Sequence, residues 1–295
     1  MILVTGASGA IGSGLVETLL SSGRKLRVAS RSPRKLEQRW QGVDAVQLDV
    51  QDPSTLPRAL EGIDAAYYLV HSMEDEAESD FATRDAKGAR TFALAARLAG
   101  VERVIYLGGL GEDRAGLSEH LRSRQQTGRI LAEEGPPLLE FRAAIVISAE
   151  SASFRMLTDL VRRLPAMVLP KWTTTSSQPI GEADVLAYLE AGLDVGLPEH
   201  HTVVEIGGSD VLTYRDMIER VAAKLERHPV LVNVPLLTPT LSSYWTGLTT
   251  SVPAAVARPL IEGSRTPMVV RSDAARTMFP QIRPGSFDEA VRQAL

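Results

Sequence analysis

Short apolar runs alternate with longer amphipathic stretches through the first half of this chain. Met1 to Val4 is apolar, a glycine-rich turn follows, and Ile11, Leu15, Val16, Leu19 and Leu20 then recur at the spacing of one helix face. Residues 25–30 alternate as a strand and close on Arg31-Ser32-Pro33, with Pro33 opening a second helix through Leu36 and Trp40. The pattern predicts a strand over 43–48, a short helix over 53–60, and a nearly continuous apolar strand over 63–70. A continuous apolar strand is what a parallel sheet covered on both faces requires. After an acid-rich loop (71–78) the spacing predicts a long helix over 79–99, with Phe81, Asp85, Ala89 and Phe92 near one face. A strand over 101–107 follows, then a helix over 117–134 and a sixth strand over 138–147. Such regular alternation predicts an α/β fold built on a doubly wound parallel sheet.

The second half changes character. Helical spacing is expected over 153–164, 182–195 and 213–225, with short strands over 179–180 and 203–206. From Pro229 prolines are dense, and 236–261 is apolar around Tyr244 and Trp245, a pattern of short broken helices. The expected organisation is a nucleotide-binding core over 1–150, with 178–210 returning to it. Residues 151–177 and 211–295 would form a small, mostly helical lobe closing over the sheet's C-terminal edge, where ligands bind in such folds.

Composition narrows the function classes. Hydrophobic residues make up 44% and charged residues 23% of 295 positions, as in an ordinary globular protein. Thirty-two basic residues against 36 acidic ones argue against a general binder of nucleic acid or anionic membranes. No cysteine is present, which excludes disulfides, thiol catalysis and cysteine-ligated metals. The five histidines show no metal-site spacing, His200-His201 falls in what reads as a polar turn, and no metal is expected. No apolar run reaches the ~18 residues of a membrane span. With the first strand starting at residue 1, no signal peptide is expected and a cytoplasmic location is.

The candidate chemistry begins in the turn Thr5-Gly6-Ala7-Ser8-Gly9-Ala10-Ile11-Gly12, which sits between a strand and a helix as a dinucleotide-binding fingerprint must. One glycine turns the chain, one admits a pyrophosphate to the backbone, and one lets helix and strand pack closely. Together with Leu48-Asp49-Val50, the strand ending at His71, the helix with Asp85 and Gly88, and Gln178-Pro179-Ile180 followed by Asp184-Val185, this turn resembles the atypical, extended-type short-chain dehydrogenase/reductases. The nearest group is the NmrA-like and complex-I-subunit-like branch, and the likeness runs over nearly the whole chain. It implies a Rossmann core holding NAD(P), and it makes Asp49 and Val50 contacts of the adenine side and Leu69, Val70 and His71 lining of the bound cofactor.

NAD-selective members of such folds place an acidic residue about twenty positions past the glycines. This chain has Arg31 there, with Arg34 and Lys35 one turn on; a guanidinium pairs with a 2′-phosphate that a carboxylate would repel, so NADP(H) is the expected cofactor. The usual catalytic residues are absent. Glycines 108 and 109 stand where the resemblance places a hydroxyl, and no tyrosine and lysine four apart follow in the next helix. His120 and Arg124 share that helix face and are the candidate catalytic pair, His120 as a donor titrating near neutrality. Asp85 is expected to make a structural contact, to the glycine turn or to Arg124. Two readings follow: a reductase of a quinone or activated carbonyl or alkene, with Trp172, Tyr244 and Trp245 lining an apolar substrate pocket, or a non-catalytic NADP(H)-binding redox sensor or assembly factor. A nucleotide-sugar epimerase or dehydratase would depend on the missing tyrosine. A homodimer is an assembly such sheets often form.

Overall fold

The computed structural model of the chain describes residues 1–71, 81–111, 117–234 and 261–295. Numbered in chain order, its central strands are β1 (Ile2–Thr5), β2 (Leu26–Ser30), β3 (Asp44–Gln47), β4 (Ala65–Tyr68), β5 (Arg103–Gly109), β6 (Leu138–Ala143) and β11 (His201–Ile206). They form one seven-stranded sheet in the order β11-β6-β5-β4-β1-β2-β3, every pair parallel. The order reverses between β1 and β4, and a ligand crevice opens at the strands' C-terminal ends at such a point.

Side chains alternate across the sheet as the pleat dictates. Leu3, Ala66, Tyr68, Val104 and Tyr106 pack under α4 (Phe81–Leu98) and α5 (Glu119–Glu134), whereas Val4, Tyr67 and Ile105 pack under α1 (Ala10–Ser21) and α7 (Glu182–Ala191). Two covered faces explain why the strands are apolar throughout rather than alternating. The shorter α2 (Pro33–Arg39) and α3 (Leu56–Leu60) complete the two layers.

Beyond the sheet, α6 (Ala152–Arg163), α8 (Tyr214–Lys224) and α10 (Phe287–Ala294) build a third apolar cluster through Phe154, Val161, Met217, Val221, Phe287 and Val291. The lobe also holds short strands that periodicity does not announce. β8 (Ala166–Pro170) pairs with β13 (Val230–Val234), and β9 (Ser176–Ser177) pairs with β12 (Leu212–Thr213). Phe279, just past α9 (Ala274–Met278), packs its ring against Phe141 and Tyr188, with centroids 5.6 Å away in each case.

Two expectations need correction. The sixth strand does not run to residue 147: it leaves the sheet after Ala143, and Val146–Ile147 (β7) pairs instead with Ile180–Gly181 (β10). The run 138–147 is apolar on both sides of the break, so no change of period marks it. His201 is not in a turn but opens β11. Tyr244, Trp245, the proline-broken segment through residue 260 and the acidic loop after His71 lie outside the described residues.

Candidate cofactor and active site

The glycine turn is shaped by what crowds it. Thr5 is fully buried; its hydroxyl donates to the Tyr67 carbonyl (2.8 Å) and accepts from the Leu69 N–H (3.2 Å), tying β1 to the end of β4. Gly6 has φ +64°, and a Cβ there would lie 2.5 Å from the Leu69 carbonyl oxygen. A Cβ on Gly12 would lie 2.2 Å from the Gly6 carbonyl oxygen, so α1 can start this close to the turn only on glycine. Gly9 caps α1 without any side-chain hydrogen bond, and no acidic residue occupies the first helical turn. Free N–H groups at a positive dipole end, with no competing carboxylate, fit a pyrophosphate.

The residues expected on the adenosine side follow β2, β3 and β4. Arg31 is exposed immediately after β2, beside the turn through the Thr5–Ala29 pairing, and Arg34 is exposed on α2. Asp49 is half-buried, and its Oδ1 accepts the Gln51 N–H (2.9 Å), which makes it a turn carboxylate with its second oxygen left for other partners. Val50 is buried against Gly88, where a Cβ would come within 2.7 Å of Val50 Cγ2. Leu69 and Val70 are half-buried at the end of β4.

A cavity of about 490 Å³ opens beside the turn. Its walls bring together Ser8, Gly9, Ala10 and Ile11 with His71, His120 and Arg124. Arg31, Arg34, Asp49, Val50, Leu69 and Val70 lie outside that lining, as residues of a cofactor's far end would. The lobe closes the other side with α6 and with Trp172 and Tyr214, whose rings meet edge-on at 5.5 Å and 78°. Sequence reasoning anticipated Trp172 but not Tyr214 or α6; contacts across so many residues leave no local signal.

His120 and Arg124 sit in the first turns of α5, which begins at Ser118, whose hydroxyl accepts the Leu121 N–H (3.3 Å). The Tyr106 hydroxyl donates to the Arg124 carbonyl (3.0 Å), fixing this end of the helix over β5. Burial, the Arg124 charge and His71 push the His120 ring down to about 3, and desolvation with the Arg124 charge lowers His71, whose residue keeps an exposed surface. Both rings are therefore neutral at pH 7, which corrects the expectation that His120 titrates near neutrality. Asp85 accepts a hydrogen bond from the Ser123 hydroxyl (3.2 Å), joining α4 to α5.

Side chains at Gly108 and Gly109 would meet close neighbours. A Cβ on Gly109 would lie 2.9 Å from Leu121 Cδ2, and one on Gly108 would lie 3.0 Å from Glu140 Oε1. Glu140 is fully buried, and its oxygens accept from Arg142 Nε and His201 Nε2, each at 2.7 Å. Neither Glu140 nor its partners stood out in the sequence, although Leu138, Glu140 and Arg142 share one face of an otherwise apolar strand.

Residues 6–135 match a domain family described as NAD(P)H-binding. This stretch is similar to NAD(P)H-binding domains. The chain is 32% identical over 126 residues, 43% of its length and 40% of the relative's, to the (4-alkanoyl-5-oxo-2,5-dihydrofuran-3-yl)methyl phosphate reductase of Streptomyces griseus. It is 24% identical over 239 residues to the mitochondrial NADH dehydrogenase [ubiquinone] 1 alpha subcomplex subunit 9 of Arabidopsis thaliana, covering 79% of this chain and 60% of that one. The chain thus spans between 40% and 60% of these relatives' lengths. In fold it matches a nucleoside-diphosphate-sugar epimerase of Staphylococcus aureus (TM-score 0.79, 14% identity, 99% of each chain) and the NADPH-dependent quinone oxidoreductase of Escherichia coli (0.75, 20%, 99% of each). The resemblance to atypical short-chain dehydrogenase/reductases, complex-I-subunit-like members included, holds. No helix among the described residues is long and apolar enough to cross a membrane.

Proposed function

We propose that this chain is an NADPH-dependent reductase of a quinone or a comparably activated carbonyl or alkene. The observation that carries the reading is the convergence of the glycine turn, His71, His120 and Arg124 on one cavity. Arg31, beside the turn where NAD-selective folds carry an acid, supports NADP(H) over NAD(H). When bound, the nicotinamide supplies the hydride.

The protein's own groups stabilise charge better than they move protons. A neutral imidazole offers one N–H to a carbonyl oxygen, and Arg124 adds a fixed positive charge to the oxyanion that develops there. Neither histidine is protonated at pH 7, and a guanidinium does not deprotonate, so no proton comes readily from these three residues. Such a site favours a substrate whose reduced form persists as a stabilised anion until water protonates it. A quinone is of this kind; a simple ketone, which gives a strongly basic alkoxide, is not. The Streptomyces relative, named as a reductase of an oxo-dihydrofuran, and the fold neighbour named as a quinone oxidoreductase support the same class.

The test follows NADPH absorbance with a panel of quinones, conjugated enones and plain aldehydes. Turnover of the first two groups and not the third is expected, with Arg124→Gln lowering kcat/KM about 10- to 100-fold. The neutral histidines and the missing tyrosine favour a second reading, a redox sensor or assembly factor that holds NADP(H) without using it. Tight NADPH binding with no oxidation by any member of the panel would decide for that reading.

A further inference from the structure

The charged groups facing the cavity are Arg124, Arg155 and Glu150. With both histidines neutral, the described lining carries one net positive charge. Arg124 lies on α5 with His120, on the side of the glycine turn. Arg155 lies on α6, in the lobe wall. It is exposed, it lines the cavity, and no hydrogen bond or ion pair holds its guanidinium among the described residues, not even with Glu150. The same lining includes the apolar Met156, Leu160 and Ile218 and the edge-on Trp172–Tyr214 pair.

We propose that Arg155 is the substrate's anion anchor. The substrate it selects has a flat apolar body carrying a carboxylate, sulfonate or phosphate, with the anion on Arg155 and the reducible group toward His120 and Arg124. A guanidinium binds such oxygens through two parallel N–H donors, and a cation already without a protein partner gives up none to do so. The first turn of α6 contains no acid to compete, and its cap Ser151 makes no side-chain bond to the helix. The substrate class rests on the reductase reading, whereas the anion site does not, so the two are measured separately.

In the first arm, calorimetry on NADP⁺-saturated protein compares 2-naphthoate with uncharged 2-naphthamide, which needs no turnover. The carboxylate is expected to bind about tenfold tighter, a preference that Arg155→Gln abolishes and Arg155→Lys partly keeps. Saturation with NADP⁺ removes the cofactor's phosphate sites from the comparison. Equal binding of the two probes, no binding of either, or a preference that survives Arg155→Gln and falls in Arg124→Gln overturns the proposal. The second arm compares kcat/KM for 1,2-naphthoquinone-4-sulfonate and 1,2-naphthoquinone, with the ratio collapsing in Arg155→Gln. A naphthoate preference lost in Arg155→Gln, with no turnover of either quinone, sustains the anion site and removes the reductase reading.

Discussion

Two glycines in the same helix separate the cofactor cradle from ordinary packing. Gly12 and Gly14 both lie in α1, and replacing either by alanine should raise helix propensity by about 0.5–1 kcal/mol. The space around them differs. At Gly12 the new Cβ would meet the Gly6 carbonyl oxygen at 2.2 Å, the Gly6 carbonyl carbon at 2.9 Å and Ala7 Cα at 3.0 Å, all backbone atoms of the phosphate turn. That is ~1 Å inside normal contact, and only displacement of the turn or the helix relieves it. At Gly14 the neighbours are Leu186 Cδ1 at 3.0 Å and Glu182 Oε1 at 3.1 Å, side-chain ends that can rotate away. Gly12→Ala should therefore lose about 1–3 kcal/mol net, a fall of roughly 2–8 °C in Tm for a chain of this size, and bind NADPH at least tenfold more weakly. Gly14→Ala should stay within about 1 kcal/mol of the parent and bind NADPH as it does. Thermal unfolding and NADPH fluorescence titration on the two variants give both numbers. Equal Tm values, or unimpaired NADPH binding by Gly12→Ala, would refute the assignment of this turn as the cradle.

Three further outcomes are expected. Arg31→Ala should weaken NADPH by about tenfold, less than a buried charge pair would because the site is exposed, and leave NADH nearly unchanged; an equal loss for both cofactors in parallel titrations would remove the 2′-phosphate role. The His120 ring is held neutral in the fold down to about pH 3, while the unfolded chain takes a proton near pH 6.5. Between those values the unfolded state binds more protons, so stability falls as pH falls below 6.5, by at most ~1.4 kcal/mol per pH unit from this ring. Urea unfolding at pH 7, 6 and 5 should show a shallower slope in His120→Asn, and an unchanged slope would show that the ring titrates freely. Glu140→Leu, which removes a fully buried carboxylate and leaves the half-buried Arg142 and His201 without it, should cost about 3 kcal/mol by the same measurement.

What the sequence disclosed follows from the range of the forces involved. The glycine turn was legible because its constraint is local: at Gly6 and Gly12 the backbone beside one strand end leaves no room for a side chain, and only glycine meets that condition. The central strands and helices were legible because both faces of the sheet are covered, which leaves long apolar runs and helix-period stripes. The end of β6 at Ala143 was not, because Ala144, Ile145 and Val146 stay apolar as they leave the sheet to line the cavity. Strands of two residues, such as β9 and β12, are too short to show any period. His201 next to His200 looks like a solvated turn until the fold places it 2.7 Å from Glu140. The neutral state of His120 depends on burial and on Arg124 together, and only Arg124 is visible in the helix pattern.

The bare end of β5 packs against that buried carboxylate. A serine at 108 would bring its Cβ to 3.0 Å from Glu140 Oε1 and 3.1 Å from the Tyr106 ring, and a serine at 109 would press on Leu121 at 2.9 Å. On the helix side, a Cβ at 128 would lie 2.5 Å from Glu140 Oε2, so α5 lies close over this carboxylate only because residue 128 is glycine. Glu140, Gly108 and Gly128 therefore form one arrangement: the charge sits where a hydroxyl-bearing strand end and a bulkier helix face would otherwise meet. With β5 contributing bare backbone at its end, His120 and Arg124 of α5 and His71 after β4 bring polar groups to the cavity lining. Gly108→Ser should press on Glu140 where it meets Arg142 and His201, because its Cβ would lie 3.0 Å from Glu140 Oε1. Gly108→Ser should lose stability, and in Glu140→Ala, where that space is empty, the added loss from the same substitution should shrink by more than 1 kcal/mol in a double-mutant cycle. Additive losses would mean that Glu140 does not set the shape of the site.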